Sequence, residues 1–197
     1  MTQKIYKILF IILCIIAIIL LIFIIKKYGG RMENENKNQE TLEVFSRIDE
    51  NNTEKPKIQM EGYDVIGTVK IPKINIEYPI VAIETSNPEE TKKPMKFAIV
   101  KYWGGNVNDF GNLSIAGHNN YDGTMFGKTK KLEIGDEVDL TDLTKTTIKY
   151  EIYQKFATNP NDVSVLQTED KTVREVTLIT CTNGNKERLI LKAREIK

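Results

Sequence analysis

An uninterrupted apolar run near the amino terminus constrains this 197-residue chain more than any other feature. Residues 8–25 read ILFIILCIIAIILLIFII and contain no polar or charged side chain apart from Cys14. As a helix, these 18 residues span about 27 Å at roughly 1.5 Å per residue. That length is close to the ~30 Å hydrocarbon core of a bilayer. The sequence therefore predicts a membrane-spanning helix over about residues 8–25, within an anchor of residues 1–27.

Two other interpretations of this run fit less well. A cleaved signal peptide has a shorter apolar core and a small-residue cleavage site, whereas no A-x-A pattern follows here and residues 28–31 read YGGR. A buried core helix of this length would be unusual in so small a domain. Basic residues flank both ends of the run and do not fix its orientation. Because most of the chain follows the helix, we expect a single-pass protein of the cell membrane with its amino terminus in the cytoplasm and its domain outside.

Charge and composition exclude several classes of function for the rest of the chain. Residues 1–27 hold four of the 28 basic residues and no acid, so residues 28–197 carry 24 basic against 27 acidic side chains, a net charge of −3. A mildly acidic domain argues against nucleic acid as a partner. One histidine excludes a multi-histidine metal site. The two cysteines, Cys14 and Cys181, form no CxxC pair, and Cys181 is expected to be a free thiol.

The chain after the anchor changes character twice. Residues 28–57 are rich in Asn, Glu and Lys, which predicts a polar juxtamembrane linker. Within it, Leu42, Phe45 and Ile48 recur at helical spacing and indicate one short amphipathic helix. From residue 58 onward the pattern becomes that of short strands and turns.

Seven extended stretches follow one another in this second part, over residues 65–71, 76–83, 113–116, 137–140, 146–156, 173–181 and 188–196. Pro79 within the second stretch indicates an edge or a bend. Short strands at this spacing predict a mainly β domain over residues 58–197. We expect a barrel or sandwich of seven or eight strands with one or two short helices.

The two residues best suited to nucleophilic chemistry both follow strands. Cys181 ends an apolar strand, and if that strand pairs antiparallel with the last one, Arg188 lies at the same end of the sheet. A guanidinium there favours the thiolate and can donate hydrogen bonds to an oxyanion. His118 is the only histidine, so any Cys–His pair must use it. It follows residues 113–116 and Gly117, a glycine expected to let the backbone turn and expose the ring. Each residue alone has an ordinary interpretation, a buried thiol or a surface histidine.

These same residues resemble the motifs of the sortase family. Residues 177–181 (TLITC), with Arg188 downstream, resemble the Thr-Leu-x-Thr-Cys signature of sortases. Residues 113–118 (LSIAGH) resemble the strand that delivers the family's histidine, and residues 66–72 (IGTVKIP) resemble its opening barrel strand. The resemblance covers roughly residues 63–196 in the family's order, and the amino-terminal anchor agrees with it.

The resemblance implies an activity and a set of roles. Cys181 would be the nucleophile, His118 the general acid and base, and Arg188 the oxyanion donor, while Thr180 would flank the nucleophile and help to hold substrate. The enzyme would be a cysteine transpeptidase of a Gram-positive bacterium, built as a closed sortase-type barrel. It would cleave secreted proteins with a carboxy-terminal LPxTG-like sorting signal between Thr and Gly through a thioester. The acceptor would be an amine of a peptidoglycan precursor or a pilin lysine.

Two absences narrow the resemblance. Residues 29–65 lack the lid tripeptide of pilus-building members, and the stretch between residues 156 and 177 is too short for the long helix of class B, so the chain resembles classes A, D or E. The acidic cluster that binds calcium in some class A members has no clear match before Leu113. We therefore expect no metal and no cofactor.

Two functions compete with transpeptidation at this point. A membrane-tethered β-domain for adhesion or sensing would explain the anchor and the barrel without any chemistry. A cysteine protease would use the same Cys181–His118 pair with water as the acceptor. Thiol reactivity at neutral pH separates the first from an enzyme, and diversion of product by an added amine separates the second.

Overall fold

The computed structural model describes residues 2–48, 56–83, 88–168 and 170–196. The chain divides into two compact units, Met1–Lys37 and Asn38–Lys197. Its first element is the helix α1 (Thr2–Ser46). The division of the sequence into an anchor, a linker and a catalytic domain with the boundaries given above stays a prediction.

The apolar run lies within α1 and leaves its side chains uncovered. Its large apolar residues from Ile8 to Ile25 are each 47–66% exposed, and they face all sides of the helix. A helix that is apolar all round is stable only where its surroundings are apolar too. By length and composition α1 can cross a membrane, in agreement with the sequence prediction.

The polar segment after the run is helical as far as Ser46. Glu33 pairs with Lys37 at 3.0 Å, an acid-before-base spacing of four residues that supports a helix. The amphipathic helix expected around Leu42, Phe45 and Ile48 is confirmed. Phe45 is buried in a cluster with residues of the β-domain such as Val65 and Val100, and Ile48 packs against that cluster.

Nine strands and one short helix follow. They are β1 (Gln59–Met60), β2 (Tyr63–Ile71), β3 (Ile76–Val81), α2 (Pro88–Thr91), β4 (Ile99–Trp103), β5 (Gly111–Ala116), β6 (Glu137–Asp142), β7 (Thr147–Thr158), β8 (Arg174–Thr182) and β9 (Glu187–Glu195). Single 3₁₀ turns lie between several of them, including Pro94–Lys96 and Ser164–Leu166.

The strands form one sheet that closes on itself. Their order is β1-β2-β3-β4-β5-β8-β9-β7-β6, and β6 pairs back onto β2. Strands β2 to β9 therefore make a closed eight-stranded barrel, with β1 added as a hairpin on β2. Most neighbours are antiparallel, but β3 with β4 and β5 with β8 run parallel. The mainly β barrel predicted from the sequence is confirmed.

Each of the seven extended stretches corresponds to a strand, whereas the two-residue strand β1 and strand β4 were missed. Residues 99–103 contain only two buried apolar side chains before polar and exposed ones, so their alternation is weak. Pro79 behaves as its chemistry requires, because it pairs with Thr68 of β2 while the pairing of β3 with β4 begins only at Ile80. The proline thus lies where β3 needs no second hydrogen-bonded neighbour.

Alternate residues of the strands fill the barrel. The interior is formed by apolar side chains from every barrel strand, among them Val69, Ile71, Ile80, Ile99, Ile115, Leu140, Ile152, Leu178 and Leu191. These are at most 1% exposed. The residues between them face outward, and on β5, β8 and β9 the outward positions build the site described next.

Candidate active site

The hairpin of β8 and β9 brings Cys181 and Arg188 face to face. The two residues are direct partners in the antiparallel register. The turn between them has three consecutive left-handed residues, Asn183, Gly184 and Asn185, with φ of 48°, 62° and 71°. Asn and Gly are the residues that tolerate this conformation at lowest cost. The Asn-Gly-Asn sequence therefore explains why the turn is tight enough to set Arg188 opposite the thiol.

The parallel pairing of β5 with β8 brings His118 to the same end of the barrel. Ala116 pairs with Ile179, and the Gly117 amide then donates to the Ile179 carbonyl at 3.1 Å. Two residues beyond that pair, the chain reaches His118 on one strand and Cys181 on the other. The Asn119 side-chain amide donates to the Cys181 carbonyl oxygen at 2.8 Å, which holds the two chain segments together.

Thr180 fastens these strands from its own position. Its side chain is 3% exposed, and the hydroxyl donates to the Gly117 carbonyl oxygen at 2.7 Å. This bond fixes the backbone immediately before His118. The structure thus gives Thr180 a supporting contact next to Cys181, while its predicted contact with substrate stays a prediction.

A glycine is needed at position 117 because a side chain has no room there, not because the backbone turns. Its φ lies outside the left-handed region, so the expectation that this glycine lets the backbone turn is not what the structure shows. A Cβ atom there would lie 2.5 Å from Ile99 Cδ1 and 2.9 Å from Phe126 Cδ2. Any larger residue would push His118 away from Cys181.

His118 is half-buried, and burial is the factor that acts on its ionisation. Desolvation lowers the pKa of the imidazole below the usual 6.5. No described acidic residue contributes to this shift, as expected from the neutral Asn119 and Asn120 that follow the histidine. His118 is therefore mostly neutral at pH 7.

The Arg188 guanidinium is held by backbone carbonyls of the hairpin. Its Nη1 donates to the carbonyl oxygens of Asn185 and Glu187, both at 3.2 Å. Within the described part of the chain, Nη1 is the guanidinium nitrogen that makes hydrogen bonds. The two hydrogen bonds of Nη1 thus orient the guanidinium group. Arg194, the alternative further along β9, instead donates to the buried Glu175 carboxylate at 2.7 Å and is not at this end of the barrel.

One groove of about 260 Å³ is lined by all four predicted site residues, His118, Thr180, Cys181 and Arg188. Its floor is apolar and comes from Ala116, Ile179 and Ile190, three outward residues in register on β5, β8 and β9. One side is formed by residues around Thr91–Met95 and the other by the connection from Thr158 to Leu166. His118, Cys181 and Arg188 lie together at one end, so a chain bound on the floor would pass the thiol.

Sequence reasoning singled out the residues at the end of the groove and missed its sides. In the described residues, the connection between β7 and β8 holds one 3₁₀ turn, Ser164–Leu166, which agrees with the expectation that this stretch is too short for a long helix. Its shape depends on Asp162, which accepts hydrogen bonds from Thr158 at 2.6 Å and from the Ser164 hydroxyl at 2.6 Å. The Asn-Pro-Asn-Asp run at 159–162 was the available signal for this turn. The sequence gave no indication that the Asn119 side chain bonds the Cys181 carbonyl oxygen.

The structure is a closed eight-stranded barrel with a thiol, an imidazole and a guanidinium at the end of one groove, and comparison with known sequences identifies its family. The family model described as "Sortase domain" matches residues 69–196. The chain belongs to the sortase family. The competing adhesion or sensing domain is therefore not favoured, and the protein is a transpeptidase.

Similar proteins agree with this assignment over nearly the whole chain. The chain is 26% identical to sortase A of Staphylococcus aureus, over 87% of this chain and 80% of that protein. It is 25% identical to sortase A of Bacillus anthracis, over 92% of this chain and 89% of that protein. Among solved structures, a sortase D5 transpeptidase of Clostridium perfringens is 30% identical with a TM-score of 0.63, covering 83% of this chain and 98% of that one.

Proposed function

We propose that Cys181 is the nucleophile, His118 the general acid and base, and Arg188 the oxyanion donor of a transpeptidase acting on LPxTG-like sorting signals. The observation that carries this proposal is the register of the barrel. It pairs Cys181 with Arg188 across the hairpin and brings His118 beside them at the end of one apolar groove. Thr180 supports the constellation by fixing the backbone before His118.

The first half of the reaction forms a thioester. The Cys181 thiolate attacks the carbonyl carbon of the threonine in the Thr–Gly bond. Negative charge develops on the carbonyl oxygen, and N–H groups of Arg188 stabilise it. The C–N bond then breaks as the His118 imidazolium gives its proton to the leaving glycine nitrogen. A glycine amine leaves, and the threonine carbonyl stays bonded to sulfur.

The second half transfers the acyl group. An amine of a peptidoglycan precursor or of a pilin lysine attacks the thioester carbonyl, and the now neutral His118 accepts a proton from that nitrogen. The C–S bond breaks, an amide forms, and the thiolate returns. A thioester splits one difficult exchange into two easier ones while remaining reactive toward amines.

The proposed protonation states are not the majority states at pH 7. In model peptides an imidazole titrates near 6.5, so the imidazolium that the first half-reaction needs is a minor form at pH 7. Burial of His118 lowers its pKa further and makes imidazolium rarer. We therefore infer a slow enzyme that works from a minor population.

The groove supports an apolar peptide as substrate. Its floor of Ala116, Ile179 and Ile190 offers no charge, and Val165 adds apolar surface at the side. The Leu-Pro portion of a sorting signal matches this lining, because burying apolar side chains against apolar surface is favourable. The carbonyl of the following threonine would then lie near Cys181.

The anchor and the subclass belong to the same proposal. With the apolar run of α1 in the membrane and the barrel outside, enzyme and membrane-retained clients share one surface, which raises their effective concentration. The short β7–β8 connection, with one 3₁₀ turn, supports a class A, D or E enzyme rather than class B. The similarity to the Clostridium perfringens sortase D5 supports the same group.

The proposal is tested by mass spectrometry of the full chain in detergent micelles with sorting-signal peptides and an added amine. We expect a product whose mass equals the peptide through threonine joined to the amine, and a covalent Cys181 adduct when the amine is omitted. A product that is only the free acid at saturating amine would indicate a cysteine protease instead. No cleavage of any peptide by a folded, alkylatable protein would contradict the proposal.

A further inference from the structure

Outward side chains of β5, β8 and β9 form rows across three adjacent strands. The register places Cys181 beside Arg188, then Ala116 beside Ile179 and Ile190, and then Ser114 beside Thr177 and Lys192. The first row with His118 is the proposed reaction centre, and the second is the groove floor. The third row is polar, although two of its three residues, Ser114 and Thr177, are buried.

Four residues make up this polar patch: Asn112, Ser114, Thr177 and Lys192. The first three are at most 8% exposed. Asn112 uses both ends of its amide, since Nδ2 donates to Ser114 Oγ at 3.1 Å and Oδ1 accepts from Thr177 Oγ1 at 2.9 Å. A buried network in which every member is paired fixes its residues in one arrangement.

The polar patch also bonds one side of the groove. We call residues 158–167 the wall segment. Asn112 Nδ2 donates to the Leu166 carbonyl oxygen at 2.9 Å, and Lys192 Nζ donates to the Gln167 carbonyl oxygen at 3.0 Å. Thr177 Oγ1 lies 3.5 Å from the Val165 carbonyl oxygen. Three successive backbone carbonyls of the wall segment thus face donors on the barrel surface.

The wall segment has little else of regular structure to hold it. Its one regular element is the 3₁₀ turn Ser164–Leu166, and its side-chain bonds, such as those of Asp162 with Thr158 and Ser164, lie within the segment itself. Local bonds fix the shape of a loop but not its position on the barrel. The position therefore depends on the polar patch and on burial of Val165.

We propose that the polar patch positions the wall segment and thereby sets the affinity of the groove for its peptide, which rests on the function proposed above. Ser114, Thr177 and Lys192 lie one row beyond the groove floor, and Asn112 lies one row further still, so the patch residues are at least two rows from Cys181 and outside the floor where the peptide lies. Loosening the wall segment widens the groove and weakens peptide binding. The arrangement of Cys181, His118 and Arg188 is left unchanged.

The test compares two patch variants with a matched control in the full chain. Asn112→Leu removes the hydrogen-bonding hub of the patch and keeps the number and branching of the side-chain heavy atoms. Lys192→Met removes only the ammonium and keeps the stem, so it avoids the folding risk of a core change. Lys155→Met is the control, because Lys155 is also a strand lysine whose Nζ holds backbone carbonyls, those of Lys130 and Leu132 at 3.0 and 2.7 Å, away from the groove.

Three readouts separate positioning from general damage: hydrogen exchange of the wall-segment amides, the alkylation rate of Cys181 by iodoacetamide, and kcat and KM for a sorting-signal peptide. We expect Asn112→Leu to speed exchange at least about tenfold and to raise KM about tenfold, with alkylation and kcat within about twofold. Lys192→Met should give a smaller change of the same kind, and Lys155→Met none.

Two results would overturn the proposal. Wall-segment exchange that stays at the wild-type rate in Lys192→Met, or rises equally in Lys155→Met, shows that the patch does not hold the wall. Faster exchange with an unchanged KM shows that the wall does not set affinity. Failure of the proposed function would appear differently, as a wild-type chain that processes no sorting peptide, and the exchange comparison still decides the first of these questions.

Discussion

Replacing Arg188 with lysine tests the proposed oxyanion donor most sharply. Lysine keeps the positive charge but has a single ammonium in place of a planar fork of donors. In the structure the fork is oriented by Nη1, which donates to the carbonyls of Asn185 and Glu187 at 3.2 Å. One ammonium cannot hold both carbonyls and also stabilise an oxyanion in the fixed geometry that the hairpin provides.

The size of the effect of Arg188→Lys follows from the two kinds of contact that would be lost, those with the oxyanion and those with the backbone of the turn. Losing one oxyanion donor costs about 2.7–4 kcal/mol in the transition state, or roughly 10²–10³ in rate. Losing two ordinary hydrogen bonds to the turn costs about 0.5–1.5 kcal/mol each in folding free energy. We therefore expect kcat/KM of Arg188→Lys to fall about 10²–10³-fold, with a loss of about 1–3 kcal/mol in the free energy of unfolding.

The assay is transfer of a sorting-signal peptide to an added amine, followed at fixed protein concentration alongside thermal unfolding. Arg194→Lys is the matched control. It is an arginine on the same strand, but it pairs with Glu175 at 2.7 Å and lies away from the groove. It should lose stability without a comparable loss of rate. If Arg188→Lys transfers at a near-normal rate, Arg188 is only a structural residue of the turn.

Three further predictions concern the thiol, the imidazole and a buried carboxylate. Cys181→Ala should abolish transfer with little loss of stability, because a half-exposed thiol contributes little packing, whereas Cys14→Ala should leave transfer unchanged; an active Cys181→Ala protein would disprove the nucleophile assignment. His118→Ala should be as damaging as Cys181→Ala, and kcat/KM should follow a bell-shaped pH profile whose alkaline limb reflects loss of imidazolium. Complete Cys181 alkylation at the thiolate rate well below pH 6 would exclude the minor-population account. Burial raises the pKa of Glu175, but hydrogen bonds from Thr168, Arg194 and Tyr153 lower it more, so the net pKa is below the usual value. The stability that this carboxylate contributes should therefore be present above about pH 4.3 and be lost as the pH falls through the folded-state pKa. Thermal unfolding of Glu175→Gln should depend less on pH than wild type in that acid range, and parallel curves would contradict this.

Sequence patterns predicted those parts of the fold that depend on local periodicity. Seven strands could be read from alternation, because a barrel strand has one face in the core and the other toward solvent. Strand β4 could not, since only Ile99 and Val100 are buried and the rest of the strand is open. The helix in the polar segment was also missed, except at its amphipathic carboxy-terminal end. Before that end, charge pairs such as Glu33 with Lys37 support a helix that has no apolar stripe in the sequence.

The residues of the proposed reaction centre were predictable because each lies at or next to the end of a strand, whereas the groove walls were not. Cys181 and Arg188 needed only the assumption of a hairpin, which the register confirms. His118 needed its strand to lie parallel to the cysteine strand, a long-range pairing that no local signal contains. Likewise, nothing in the sequence shows that the carbonyl of Leu166 is bonded by Asn112, 54 residues away.

The register explains why the five residues 177–181 act as one signature. Alternation sends successive side chains to opposite faces of β8. Thr177 faces outward to Asn112 in the polar patch, Leu178 packs in the barrel, and Ile179 forms the groove floor. Thr180 then bonds the backbone before His118, and Cys181 emerges at the end of the groove opposite Arg188. Each position thus has a different neighbour to satisfy. A shift of the strand by one residue would bury the thiol and expose Leu178 and Thr180 at once. The motif therefore specifies the register of β8, and the chemistry proposed for Cys181 depends on that register.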